Sequence, residues 1–261
     1  GISKADVEIE NDYVTQTIYI KFAGGVDDYF EQYAIKGSSD HIASMAYYKD
    51  KEEGVIALQL DQVYELKNRF KKGSLYLDFI DPHDIYDKVI VVDAGHGSHA
   101  AGAVKLGISE KSLNLAIVQQ LKKLFDEDKR RIRVYYTRTS DTNPTLDQRV
   151  QLANKANADA YIRIHANGSD NSSISGALTI CTTRNSPYIS SMYRKNKALS
   201  EAVLNAYVSA TGCRKEYVWE TDSMTGNNWS KVPTTIIEMG YMSNPSEDRR
   251  MQQSSYQKKM V

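Results

Sequence analysis

The chain has 261 residues, 41% of them hydrophobic, and only 2 cysteines, which supplies apolar material for one or two real cores and excludes a disordered tail, a collagen-like repeat and a disulfide-built mini-domain. Its 33 Lys and Arg balance 33 Asp and Glu, but the balance hides a split: residues 1–87 carry 9 basic and 17 acidic side chains, net −8, and residues 88–261 carry 24 and 16, net +8. Such a split predicts two domains, the second basic enough to meet an anionic partner.

In chain order, Ile18, Ile20 and Phe22 alternate with Thr17, Tyr19 and Lys21 within 14–22, the period of a half-buried strand. Residues 55–60 are an apolar run, and Leu75, Leu77 and Phe79 alternate with Tyr76 and Asp78. Gly24-Gly25, Gly37-Ser38-Ser39, Gly54 and Gly73-Ser74 punctuate these runs as turns. The expectation is a small antiparallel β domain over 1–84. Its tyrosines, Tyr13, Tyr19, Tyr29, Tyr33, Tyr47, Tyr48, Tyr64 and Tyr76, serve either strand packing or a binding surface. Asp81-Pro82-His83-Asp84 breaks the pattern and marks a boundary.

From residue 88 strands and helices alternate. Residues 89–92 are apolar without alternation, as in a strand covered on both faces. Leu113, Ala116, Ile117, Leu121 and Leu124 share one helical face. A strand at 132–136, a helix at 144–157 and strands at 160–164 and 175–182 follow. Leu199, Ala202, Val203, Ala206 and Ala210 mark a long helix that Gly212 terminates, and 234–237 is the last strand. The predicted fold class is α/β, a mostly parallel twisted sheet flanked by helices, and ligands collect beyond the carboxyl ends of such strands. No run of about 18 apolar residues exists, so no membrane-spanning helix is predicted.

Three strand ends carry polar residues that bear on chemistry. The strand at 89–92 runs into Asp93-Ala94-Gly95-His96-Gly97-Ser98, that at 160–164 into His165-Ala166-Asn167-Gly168, and that at 234–237 into Glu238-Met239-Gly240. If these strands are parallel neighbours, His96, His165 and Glu238 share a rim. Glu110 opens the next helix after a 13-residue loop long enough to fold back over it. Two histidines and a carboxylate make a His₂Glu set suited to tetrahedral zinc with one position open, and the other Glu can act as general base on water. The chemistry is hydrolysis of an amide or ester. Taken singly, a strand-end His is more often structural, and Glu110 is a good helix N-terminal residue. Glu238 is harder to set aside, because a carboxylate within Ile236-Ile237-Glu238-Met239 costs several kcal/mol if buried and unpaired. His41, His83 and His99 lack such a setting and are read as non-ligands. Cys181 and Cys213, 32 positions apart, are read as unpaired or incidentally buried thiols.

These residues resemble a family. Val-Asp-Ala-Gly-His-Gly at 92–97, Glu110-Lys111-Ser112-Leu113-Asn114-Leu115, Thr137-Arg138, Leu146-Asp147-Gln148-Arg149, Ile164-His165-Ala166-Asn167, Ser175-Gly176-Ala177 and the stretch from Pro233 through Glu238-Met239-Gly240-Tyr241-Met242-Ser243-Asn244 are similar, in order, to the zinc-dependent N-acetylmuramoyl-L-alanine amidases. The resemblance covers about 88–261. It implies that His96, Glu110 and His165 bind zinc and that Glu238 activates the water. The bond cut is then the amide between the lactyl group of N-acetylmuramic acid and L-alanine in peptidoglycan. It further implies an extracytoplasmic, secreted or wall-associated protein, a leader sequence already removed, and an autolysin-like role in wall remodelling, lysis, sporulation or germination.

Two positions depart from the family. Ser98 stands where Gly is common, and Arg163 where Ser is common. Arg163 shares a strand face with His165 and can orient a ligand carboxylate, grip a substrate carboxylate, or serve only as a structural salt bridge. Arg163, Asn167 and Trp229 are the substrate-binding candidates, and Arg149 is expected to be structural. Family members usually continue beyond Tyr256-Gln257-Lys258-Lys259, which suggests a shortened chain or a compact natural end. The expected partners are peptidoglycan and anionic wall polymers, with no nucleic acid, since no such motif occurs. The N-terminal domain, only faintly similar to modules attached to such amidases, is expected to be a targeting, wall-binding or regulatory unit. A zinc peptidase of the stem peptide and a non-catalytic wall-binding protein are the competing readings.

Overall fold

The computed structural model describes residues 4–24, 39–105 and 107–261. The turn signals at Gly25 and Gly37-Ser38, and Tyr29 and Tyr33, lie outside the described residues. The chain divides into two compact units, Gly1–Tyr86 and Asp87–Val261.

In the first unit β1 (Val7–Asp12), β2 (Thr17–Ala23), β3 (Ile42–Asp50) and β4 (Glu53–Leu60) form an antiparallel sheet in the order β1-β2-β4-β3. β5 (Glu65–Lys71) and β6 (Ser74–Ile80) form a separate antiparallel hairpin. Its two-residue loop, Lys72-Gly73, has positive φ at both positions, the backbone a tight hairpin needs to follow the strand twist. Ile18, Leu58, Leu60 and Tyr64 make the buried centre, joined by Leu77 and Phe79 of the hairpin. Tyr64 is therefore a packing residue, whereas Tyr48 and Tyr76 are exposed. The sequence reading omits β1, β3 and β5. β1 alternates over four residues only, β3 is largely exposed, and β5 offers just Leu66 and Phe70 as apolar side chains. A short helix α1 (Pro82–Ile85), capped by the Asp81 carboxylate accepting from His83 N at 2.8 Å, closes the unit.

The second unit is built on a six-stranded sheet. Its elements are β7 (Lys88–Ala94), the small hairpin β8 (Val104–Lys105) and β9 (Ile108–Ser109), α2 (Glu110–Glu127), β10 (Ile132–Tyr136), α3 (Leu146–Lys155), β11 (Ala160–Asn167), β12 (Ala177–Cys181), α4 (Tyr193–Thr211), β13 (Lys215–Glu220), α5 (Thr225–Asn228), β14 (Thr234–Tyr241), α6 (Pro245–Met251) and α7 (Ser254–Met260). The strand order is β10-β7-β11-β14-β12-β13. All neighbours are parallel except β14 and β12. The sheet is thus mixed, mostly parallel, with one antiparallel reversal that the sequence pattern does not announce.

Register sorts the side chains onto two faces, because in-register neighbours share a face and successive residues alternate. One face presents Val92, Ala94, Ile164, Ala166, Ile237 and Met239 to Leu113 and Ile117 of α2 and Leu204 and Tyr207 of α4, a single apolar cluster. α4 ends at Gly212, whose left-handed φ of 68° makes the C-terminal cap. The opposite face carries Asp93, Arg163, His165, Ile236 and Glu238, since Arg163 pairs with Asp93 and Ile236, and His165 with Glu238. Leu178 and Ile180 of β12 continue it, paired with Glu238 and Ile236.

Candidate metal centre

β7, β11 and β14 are parallel neighbours, so their carboxyl ends lie side by side and carry His96, His165 and Glu238 to one rim. The loop after His96 folds back: Glu110 N donates to Ala103 O at 2.7 Å and Lys111 N to Ala101 O at 3.0 Å, which delivers Glu110 to the same rim. Ligand atoms of His96, Glu110 and His165 all lie within 4.8 Å of one another. Among the described residues no other group of His, Cys, Asp and Glu has metal-binding geometry.

The Glu110 carboxylate bridges the histidines, Oε2 lying 3.1 Å from His96 Nε2 and Oε1 3.0 Å from His165 Nδ1. Ala103 N, Ala166 N and Asn114 Nδ2 donate to it as well. Burial opposes ionisation of Glu110, but the hydrogen bonds with His165 and His96 hold it well below the usual carboxylate range. Burial lowers His165, which favours the neutral imidazole that a metal requires.

Two glycines are spaces for ligands. A Cβ at Gly95 would collide with the His165 ring, and one at Gly102 would collide with Glu110 Oε2 and lie 2.8 Å from His96 Cδ2. His96 itself has φ of 61°, a left-handed conformation uncommon outside glycine. Two buried arginines hold the turn that imposes it. Arg138 donates to Ala94 O and Gly95 O, and Arg149 donates to Ala94 O and His96 O, at 2.8–2.9 Å. Arg149 thereby has a structural contact set. Ser98 follows at φ 46°, which is why glycine suits that place; its N–H donates to Asp141 Oδ1 at 2.8 Å.

Beneath the rim lies Asp93, fully buried, accepting from Thr137 Oγ1 and Arg149 Nη1 at 2.6 Å, Arg163 Nε at 3.2 Å and the Tyr161 hydroxyl at 3.4 Å. Burial works against its charge, but the two guanidiniums hold its carboxyl well below the ordinary range. The sequence reading assigns Asp93 no role, although the argument that singled out Glu238, a carboxylate in an apolar strand, applies equally to it. Arg163 gives its second hydrogen bond to Asn227 Oδ1 of α5 at 3.1 Å and is not bonded to Glu110. With His96, His165, Arg149, Asn143 and Leu146 it lines a cavity of about 240 Å³.

Glu238 stands beside His165 on the adjacent strand, and its Oε2 is buried without a hydrogen-bond partner, as is His165 Nε2. Burial and the neighbouring Glu110 push Glu238 up to about 8, partly offset by Arg163. Unpartnered polar atoms of this kind, next to a His₂-carboxylate donor set, fit a divalent cation and a water between them. Of the remaining candidates, Asn167 is half-buried and caps Gly168 N, and Trp229 is 48% exposed at the end of α5, its carbonyl bonded to Asn154. His99 is exposed, His41 Nδ1 meets the Tyr64 hydroxyl, His83 pairs with Asp81, and Cys181 and Cys213 are buried and free.

A His-Glu-His cluster at the carboxyl ends of parallel strands, with a second carboxylate alongside, defines the class: a candidate metallohydrolase site on an α/β sheet. Residues 90–261 match the family described as N-acetylmuramoyl-L-alanine amidase. The chain therefore belongs to the N-acetylmuramoyl-L-alanine amidase family and carries that family's enzyme domain. It is 28% identical over 177 residues to the N-acetylmuramoyl-L-alanine amidase LytC of Bacillus subtilis, a match covering 67% of this chain but 34% of LytC. It is 31% identical over 178 residues to the uncharacterized protein YqiI of the same organism, covering 67% of this chain and 80% of YqiI. Among solved structures, the catalytic domain of the amidase CwlV from Bacillus (Paenibacillus) polymyxa var. colistinus superposes with a TM-score of 0.59 at 27% identity, covering 66% of this chain and 91% of that one. The N-acetylmuramoyl-L-alanine amidase of Clostridium difficile 630 gives the same TM-score and identity, with 66% and 90% covered.

Proposed function

We propose that the protein hydrolyses the amide bond joining N-acetylmuramic acid to L-alanine in bacterial peptidoglycan, using zinc held by His96, Glu110 and His165. The observation that carries this reading is Glu238: a carboxyl with an unpartnered buried oxygen, in register beside His165, in a chain of the amidase family. A bound zinc ion would supply Lewis acidity for the scissile carbonyl and for the attacking water. Glu238 takes a proton from that water at Oε2 and returns it to the leaving amine of L-alanine. Glu110 keeps the two imidazoles oriented, and Asn114 and the Ala103 and Ala166 amides keep Glu110 in place. Arg163, Asn167 and Trp229 are the proposed substrate contacts, with Arg163 facing the cavity beside the histidines.

The reaction belongs outside the cytoplasm, at the wall; among the relatives are probable cell wall amidases of Staphylococcus aureus. No helix among the described residues is long and apolar enough to cross a membrane. Residues 1–84 are proposed as a targeting, wall-binding or regulatory unit, and unchanged wall binding after their removal would eliminate the first two roles. Incubation with purified peptidoglycan, with and without chelator, followed by mass spectrometry of the product ends, tests the main reading. Stem peptides with free L-alanine amino groups, released from an intact glycan that keeps the lactyl carboxylates, are expected, lost with chelator and regained with zinc. Cleavage within the stem peptide would make the protein a peptidase, and no cleavage would leave a wall-binding protein.

A further inference from the structure

The side of the sheet that carries Glu238 extends to the sheet edge. Across β12 it runs through Leu178 and Ile180, which are apolar and buried with Met224 packed on them, and Ile180 pairs in turn with Trp219 of β13, the edge strand. Trp219 therefore stands on the face that carries Glu238, and so does Tyr217, two residues earlier. The alternate residues point the other way: Val218 packs on the apolar cluster, and Glu220 meets Tyr193 and Lys197 of α4. Both rings are open to solvent, Tyr217 at 56% and Trp219 at 42% exposure.

A bulge interrupts the pairing of β12 with β13. Ala177 pairs with Lys215 but Thr179 with Val218, so Glu216 and Tyr217 together face Leu178, the register partner of Glu238. With strands about 4.8 Å apart, Tyr217 begins two strands, about 10 Å, from the proposed base, and Trp219, level with Ile236, lies two residues further along the sheet.

The His96–Glu110–His165 cluster thus has unlike flanks. Toward β7 lies the 240 Å³ cavity with Arg149 and Arg163 in its wall. Toward β13 lies an uncharged aromatic ledge. A substrate in which an acidic peptide meets a sugar chain has the same asymmetry: the peptide carries carboxylates, while a pyranose offers a flat C–H face rimmed by hydroxyls, which suits a Tyr or Trp ring. We propose that Tyr217 and Trp219 form a stacking platform for the N-acetylated glycan chain at the open edge of the sheet, on the same side as Glu238 and beyond the strip where Met224 packs. This assignment rests on the amidase reading, which sets the scissile bond at the junction of peptide and sugar.

The test uses the full chain and two probes. Peptide-free glycan strands of four to six sugars are titrated while the two Trp indole N–H signals are followed by NMR, with Trp219→Phe assigning them. Glycan is expected to shift the Trp219 signal, and Tyr217→Ala or Trp219→Ala to weaken its binding about tenfold each, with Trp219→Phe retaining most of it. In hydrolysis assays the same Ala variants are expected to raise KM more than they lower kcat, by a factor that shrinks as the glycan is shortened to one sugar. A Trp219 signal indifferent to glycan, or an equal penalty at every glycan length, would overturn the platform. Failure of the amidase reading would show separately, as no cleavage of the muramoyl–alanine bond by the parent protein, and glycan binding would still decide the platform.

Discussion

The two faces of the six-stranded sheet obey different rules. On one, Ile164, Ile237 and Met239 meet α2 and α4 through apolar contact, and burial of each side chain stabilises by about 1.5–3 kcal/mol with no demand on direction. On the other, buried Asp93 is tolerable only because two guanidiniums, a hydroxyl and a phenol converge on it, and removing one member leaves an uncompensated charge. The apolar face tells how a sheet is held. The charged face ends at the rim where His96, Glu110 and His165 converge.

The comparison is sharpened by substitution. Glu238→Gln should leave folding and metal content intact and lower turnover by about 10²–10⁴, since the proton acceptor goes and the shape stays; parent-like turnover would move the base elsewhere. Asp93→Asn on the charged face should cost about 3–5 kcal/mol by urea denaturation, because Arg149 and Arg163 lose their shared anion. Leu204→Ala, fully buried on the apolar face, should cost about 2–5 kcal/mol but leave the pH dependence of stability untouched.

That pH dependence follows from Asp93. Its carboxyl is lowered in the folded state, so its contribution is complete above the unfolded value, about 4, and fades as pH falls below it. Melting followed between pH 3 and 6 in chelator should show a steep acid loss that Asp93→Asn flattens; an unaltered slope would assign the acid sensitivity to other carboxylates. The smallest effect is a gain. Ser98→Gly relieves a left-handed backbone and should stabilise by about 0.5–1 kcal/mol, raising Tm by roughly 1–3 °C, whereas a loss would mean that the Ser98 side chain does more than tolerate its φ.

Much of this was legible before any coordinates. The strand at 89–92 shows because a strand covered on both faces is apolar throughout, those at 132–136, 160–164 and 234–237 show as short runs rich in β-branched and aromatic residues, and His96, His165 and Glu238 show because each follows such a run. β13 was not legible: Lys215-Glu216-Tyr217-Val218-Trp219-Glu220 is an edge strand that buries one side chain row and exposes rings on the other, so its composition reads as surface. The arginines were half legible. Arg138 and Arg149 sit in recognisable motifs, but their carbonyl partners at 94–96 are some 40 to 55 positions away and no local pattern encodes them.

The amino-acid sequence by itself determined the α/β class, the donor types and the strands that bear them, because periodicity and residue chemistry are local properties. Only the tertiary structure decided that β7, β11 and β14 are neighbours in parallel register, that the loop before Glu110 folds back to bring three donors within 4.8 Å, and that Asp93, Tyr217 and Trp219 share the face of Glu238. Those are facts of strand order and register, set by how apolar surfaces far apart in the chain pack together, and one residue of slip would turn every one of these side chains to the other face.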